Sequence, residues 1–122
     1  MEIVDANIIL RFLLDDIQEQ ADEASKIFQE NHVYVLVEVL AEVIYVMEKI
    51  YKMDRLEISN TISQFISYNN ILVDNKDIVE VALNTYQEKK IDFIDSILYG
   101  YSVCRKAKIH TFDKKLEKIV SS

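Results

Sequence analysis

Asp92 and Asp95 stand three residues apart in the stretch Ile91-Asp92-Phe93-Ile94-Asp95-Ser96-Ile97-Leu98-Tyr99-Gly100. On a helix that spacing puts both carboxylates on nearly one face, one turn apart. A helix start also favours acids because its free N–H groups carry partial positive charge, so an N-cap followed by a first-turn acid accounts for the pair taken alone. Three further acids, Asp5, Glu42 and Asp113, fall where a shared site could be built. Carboxylates gathered in one place repel: two unit charges 4 Å apart cost about 4 kcal/mol at an effective dielectric of 20. Hard divalent cations with oxygen ligands relieve that repulsion, so Mg²⁺ or Mn²⁺ is the expected guest. Two histidines and one cysteine, at spacings that form no zinc motif, do not provide for a softer metal. Such a site suits in-line hydrolysis of a phosphodiester, with water activated for attack and the leaving oxygen stabilised.

The elements that must position these acids follow from periodicity. Glu2-Ile3-Val4-Asp5 reads as a short strand closed by Asp5, followed by an apolar-rich segment from Ile8 to Leu14. Asp16 to Glu30 carries Ile17, Ala21, Ala24, Ile27 and Phe28 at helical spacing, with Asp15 or Asp16 as cap. Val33 to Val37 is the strongest strand signal, and from Glu38 the period becomes helical, with Glu42 inside that helix. Asp54 opens a helix ending near Asn69-Asn70, and Ile71-Leu72-Val73 is a short strand. Asn75 or Asp77 begins a helix that stops around Lys89-Lys90, and another runs from Asp92 to about Lys106. Lys108 to Phe112 reads as a last strand, and Asp113 opens a short final helix. The order β-α-α-β-α-α-β-α-α-β-α predicts an α/β fold: a three-layer α/β/α sandwich with a central parallel sheet of about four short strands. With no linker, repeat or low-complexity stretch, residues 1–122 are expected to form a single domain.

In open parallel sheets, sites form beyond the carboxyl ends of the strands. Asp5 and Asp113 each end a strand in this reading, so neighbouring first and last strands would bring them to one edge, with Asp95 and Glu42 in reach. Each acid also has an ordinary explanation: Asp5 as a turn residue, Asp113 as an N-cap, Glu42 as a solvated helix residue. Glu42 fits its explanation least well, since Ala41, Val43, Ile44 and Tyr45 surround it in sequence.

A net charge of −7, from 21 acids against 14 bases, argues against a broad basic nucleic-acid surface and leaves room for a narrow, metal-neutralised one. One glycine and no proline exclude the glycine-rich loops that cradle phosphates. The single glycine, Gly100, falls inside a helix, where close packing against another backbone would offset its cost. Cys104 cannot form an intrachain disulfide and reads as a small buried hydrophobe. With no export signal and no apolar run of spanning length, a cytoplasmic protein without a membrane segment is expected.

Four motifs in order resemble those of the PIN-domain ribonucleases, most of all the VapC-type toxins of prokaryotic toxin–antitoxin pairs: Val4-Asp5-Ala6-Asn7, Leu40-Ala41-Glu42-Val43-Ile44-Tyr45-Val46, Asp92-Phe93-Ile94-Asp95-Ser96 and Thr111-Phe112-Asp113. The resemblance spans nearly the whole chain. It implies a Mg²⁺- or Mn²⁺-dependent endoribonuclease with Asp5, Glu42, Asp95 and Asp113 as catalytic and metal-ligating acids. Asp92 would be an auxiliary acid, and Asn7 and Thr111 would orient ligands or substrate. It further implies a homodimer inhibited by a small antitoxin. Ala6 departs from the family's usual Thr or Ser, and Lys90 and Lys108 or their neighbours replace glycines common before the last two motifs. Glu38, four residues before Glu42, takes the helix-start reading.

Bases must steer an RNA phosphate chain past a negative rim, and Arg11, Lys114 and Lys115 lie nearest the acidic motifs in sequence. Tyr34, Tyr45, Tyr99 and Tyr101 are aromatic candidates for base stacking, with Tyr99, one turn after Asp95, placed best. His110 reads as a strand residue rather than a general base. Two rival classes stand beside the ribonuclease: a PIN-like module that grips RNA or a protein with little or no turnover, and a phosphoaspartate-type enzyme using Asp5 as nucleophile. The last leaves Glu42, Asp95 and Asp113 without a shared role.

Overall fold

Short apolar segments and capping residues set the element boundaries in the computed structural model, which describes residues 1–121. Among the described residues there are seven helices and three strands, in two compact units that divide after Asp74.

The first unit contains the sheet. Strands β1 (Glu2–Ile3), β2 (Val33–Tyr34) and β3 (Ile71–Leu72) run parallel in the order β1-β2-β3. Glu2 pairs with Val33 and Ile3 with Tyr34, while Val33 pairs with Ile71 and Tyr34 with Leu72. Each crossover is a helix pair: α1 (Ala6–Leu14) and α2 (Gln18–Glu30), then α3 (Val37–Lys49) and α4 (Arg55–Ile66). Helix α1 packs on α2 and α3, α3 on α4, and α4 on β3. Their buried faces supply Ile9, Phe28, Leu40, Ile44, Met47, Ile58, Ile62, Phe65 and Ile66 to one apolar core. Phe12, Phe28 and Phe65 join α1, α2 and α4 at its centre, with ring centroids 4.7 to 6.0 Å apart and an edge-on contact between Phe28 and Phe65.

The second unit is helical: α5 (Lys76–Lys89), α6 (Phe93–Arg105) and α7 (Lys114–Val120). Gly100 on α6 meets α5 closely, since a Cβ there would lie 3.0 Å from both the carbonyl oxygen and Cγ2 of Ile78. The expected backbone approach is therefore present. The far end of the hairpin is clasped by Arg105, which donates to Asp77 at 2.7 and 3.0 Å and to Asn75 at 3.2 Å.

Several boundaries differ from those expected. Val33–Val37 yields only a two-residue strand, because Leu36 already caps α3 and Val37 begins it. Ile17, not Asp15 or Asp16, is the N-cap of α2, and Asp16 is engaged by Arg11. The fourth strand expected over Lys108 to Phe112 is not formed. Burial there alternates with period two, but a strand is defined by its ladder, and no pairing includes this segment. The architecture is thus mixed α/β with a small three-stranded parallel sheet rather than a four-stranded sandwich. Cys104 is half-buried, not buried.

With one glycine in the chain, the left-handed turns fall to other residues: Asp15, Lys52, Asn75, Lys90 and Lys106 all have φ between 51° and 57°. Lys90 lies just ahead of the Asp92 motif and Lys106 ends α6, so with Lys52 lysine occupies three corners that glycine would fill without steric cost.

Candidate acidic site

Three helix starts position four of the candidate acids, and they use them differently, while Glu42 lies within α3. Asp5 precedes α1 in an extended conformation, and its Oδ1 accepts the N–H of Ile8 at 3.1 Å. Asp113 does the same for α7, accepting the N–H of Leu116 at 2.8 Å. Both are therefore true N-caps, each with its second carboxylate oxygen outside that bond. Asp92 occupies the N-cap position of α6 but forms no side-chain capping bond. The N-cap explanation thus holds for Asp113 and not for Asp92, while Asp5, expected as a turn residue, is a helix cap.

Asp95, in the first turn of α6, is half-buried. A helix N-terminus favours the ionised form, yet Asp95's carboxyl is pushed above the usual carboxylate range. Burial contributes most, followed by repulsion from Asp113 and then from Asp92. The charges of the two other expected acids of the second unit thus act on Asp95. Beneath them, the fully buried Ser96 hydroxyl donates to the Asp92 carbonyl at 3.0 Å and steadies the first turn.

In the first unit, Asn7 is exposed in the opening turn of α1, and Glu42 is exposed on α3, opposite the buried Leu40, Val43, Ile44 and Met47. Glu38 lies in the first turn of α3, as expected of a helix-start acid. Ala6 is buried, so this position carries a core methyl.

The substrate candidates are unequal. Arg11 is bound to its own unit: its guanidinium donates to Gln20 at 2.8 Å, Asp16 at 3.0 Å and Tyr51 at 3.3 Å, and the Tyr51 hydroxyl donates to Asp16 at 3.0 Å. Sequence separation hid this network, since Tyr51 is 40 residues away. Asp16 is correspondingly held below the usual carboxylate range, burial opposing the effect and the Tyr51 hydroxyl leading it. Lys114 is exposed, and Lys115 donates to the Lys90 carbonyl at 3.1 Å, bracing the left-handed corner before the Asp92 motif. Thr111 Oγ1 accepts the N–H of Asp113 at 3.0 Å and so orients that acid's backbone. Tyr99 is half-buried and lines a cleft of about 350 Å³ with Glu80, Asn84, Glu88 and Lys89. The Tyr34 hydroxyl is held by Asp74, which together with burial raises its proton affinity.

Oxygen donors alone make this a group for a hard cation, as Mg²⁺ or Mn²⁺ requires. Among the described residues, no three His, Cys, Asp or Glu side chains are placed so that they could hold one metal ion. The donor chemistry therefore fits the ion, while the side chains as they stand do not form a ligand cage. No described helix is long and apolar enough to cross a membrane.

No curated protein and no solved structure matches the chain significantly. Comparison with protein-family models matches the PIN domain over residues 3–121, a range that includes Asp5, Glu42, Asp92, Asp95 and Asp113. The chain belongs to the PIN-domain family.

Proposed function

We propose that this protein is a Mg²⁺- or Mn²⁺-dependent endoribonuclease, the toxin of a toxin–antitoxin pair. The family supplies a nuclease-like fold. The observation that supports the reading most strongly is the family match over residues 3–121, which takes in Asp5, Glu42, Asp92, Asp95 and Asp113, and the charges of Asp113 and Asp92 also act on Asp95. Like charges kept together against their repulsion favour a cation, and no capping bond accounts for Asp92.

In this reading Asp95 and Asp113 hold the ion together with Asp5 and Glu42. The order of the family's motifs, which assigns two acids to each unit, is what joins them, and with it the single domain over 1–122. When bound, the ion neutralises charge at the scissile phosphate and makes the attacking water more acidic. Asp92, exposed at the start of α6, receives a proton or orients water. Asn7 and Thr111 orient ligand and substrate, Thr111 through its bond to the Asp113 backbone. Lys114 is the best placed of the proposed phosphate contacts, because Arg11 and Lys115 already serve intramolecular bonds. A homodimer, a small antitoxin partner and a cytoplasmic setting complete the proposal.

The test is cleavage of a mixed RNA pool by purified protein with Mn²⁺ and with chelator, beside an Asp95→Asn preparation that controls for contaminating nuclease. Fragments that require both the ion and Asp95 are expected. RNA binding without fragments in Mn²⁺ would replace the nuclease by the binding module. Absence of cleavage together with an unchanged melting temperature at millimolar Mn²⁺ would remove the metal site itself.

A further inference from the structure

Other phenylalanines of this chain lie inside it: Phe28, Phe65 and Phe93 are buried and Phe12 is half-buried, whereas Phe112 is 102% exposed. Local bonds hold it there. Thr111 Oγ1 accepts the Asp113 N–H at 3.0 Å and Asp113 Oδ1 accepts the Leu116 N–H at 2.8 Å, pinning the backbone around a ring that stays in solvent. Half-buried Ala107, Ile109 and Thr111 alternate with exposed Lys108, His110 and Phe112, so the ring belongs to the outward set.

Charge around it runs against that of the whole protein. From Arg105 to Lys118 stand six bases and two acids, in a chain of net charge −7. Arg105 is committed to Asp77 and Lys115 to a carbonyl, while Lys106, Lys108, Lys114 and Lys118 are exposed. An aromatic ring among cations is the pairing that holds single-stranded nucleic acid, the ring stacking on a base and the cations on phosphates. An apolar protein partner would instead be met by His110 and lysines, which do not extend the ring into an apolar patch.

We propose that Phe112 stacks on an unpaired base of the RNA substrate and so positions the scissile phosphate for the neighbouring Asp113. This rests on the ribonuclease reading and adds a positioning residue to it. Every base has a stackable face, so the contact selects for single strands more than for sequence.

The chain contains no tryptophan, so Phe112→Trp creates a single fluorescent reporter at the proposed contact. In the Asp95→Asn background, a single-stranded RNA oligonucleotide of mixed sequence should quench that emission saturably. With Asp95 intact, Phe112→Ala should weaken RNA binding about tenfold, acting mainly on KM, and Phe112→Tyr should restore it. The melting temperature should not change, because the ring is already in solvent. Normal binding and cleavage by Phe112→Ala would overturn the proposal, as would tryptophan emission unmoved by RNA that labelled-RNA anisotropy shows to be bound. An emission shift that follows protein concentration without RNA would assign the ring to a second copy of the chain and also overturn it. If the unsubstituted protein neither binds nor cuts RNA, the ribonuclease reading falls first, a result separable from the others by that control.

Discussion

Residues 1–74 carry fourteen acids against five bases, whereas residues 75–122 carry seven acids against nine bases. The first unit has the sheet, the aromatic core and the excess of acids. The second has helices and a basic flank, yet it is the one in which a carboxyl, Asp95, is raised above its usual range by burial and by its acidic neighbours. An acid is therefore informative when its surroundings give it no other task. Asp5 caps a helix in the acidic unit, while Asp95 and Asp92 cap nothing in the basic one.

That contrast predicts the largest effect. If both units contribute to one reaction, Asp5→Asn and Asp95→Asn should each reduce metal-dependent RNA cleavage by roughly 10²–10⁴-fold. An asparagine at position 5 still caps α1, so its loss of activity would not come from a frayed helix. Asp5→Asn at parental rate, with Asp95→Asn inactive, would confine the chemistry to the second unit and leave Asp5 as a cap.

Stability should divide along the same line. Phe65→Ala removes the ring that joins Phe12 and Phe28, and should cost about 3–5 kcal/mol in urea denaturation. Tyrosine fluorescence, circular dichroism and hydrogen exchange would show whether the second unit melts with the first or keeps its own transition. One transition moving as a whole would make the division a geometric one without separate stability.

The helix hairpin offers a finer test, because glycine sits where packing needs it and is missing where the backbone would accept it. Gly100→Ala gains about 1 kcal/mol of helix propensity but drives a methyl to 3.0 Å from a carbonyl oxygen on α5. Overpacking of that kind costs about 1–3 kcal/mol, so a net loss of about 1 kcal/mol is expected. Lys90→Gly, at φ 57°, should instead stabilise by roughly 0.5–1 kcal/mol. Equal signs for the two substitutions would break the argument.

Much of this was legible in the residues, for identifiable reasons. Helices announced themselves by apolar stripes of three to four residues, and Asp54, Asn75, Asp92 and Asp113 marked starts that the structure keeps. The parallel strands were found but overextended, since apolar content persists through Val37 although α3 has already begun. Lys108–Phe112 has the right alternation without a ladder, and pairing is a tertiary property that a single segment cannot declare. Asp92 and Asp95 could be singled out by spacing, whereas their difference from Asp5 depends on where hydrogen bonds go. The Arg11–Asp16–Tyr51 network was hidden by sequence distance, and Phe112 by its membership of an apparent strand.

The smallest effect concerns the proton on Asp95. Its folded-state affinity is raised, chiefly by burial and then by Asp113 and Asp92, so the unfolded chain gives up this proton at lower pH than the native one. Stability from this group is therefore greatest below the ordinary aspartate pKa, near 3.9. It falls as pH rises from there through the raised native value, and the full penalty remains at neutral pH. Asp95→Asn, which cannot ionise, should be slightly more stable than the parent at pH 7 in chelator, and the advantage should vanish near pH 3. Millimolar Mn²⁺ should reverse the order at pH 7, because the parent then gains from the ion and the amide gains less. Equal melting temperatures at all pH values would mean that neither burial nor the charges of Asp113 and Asp92 raise the proton affinity of Asp95. A stability gain that Mn²⁺ leaves untouched would mean that the fold penalises the ionised Asp95 and that the cation is not the remedy.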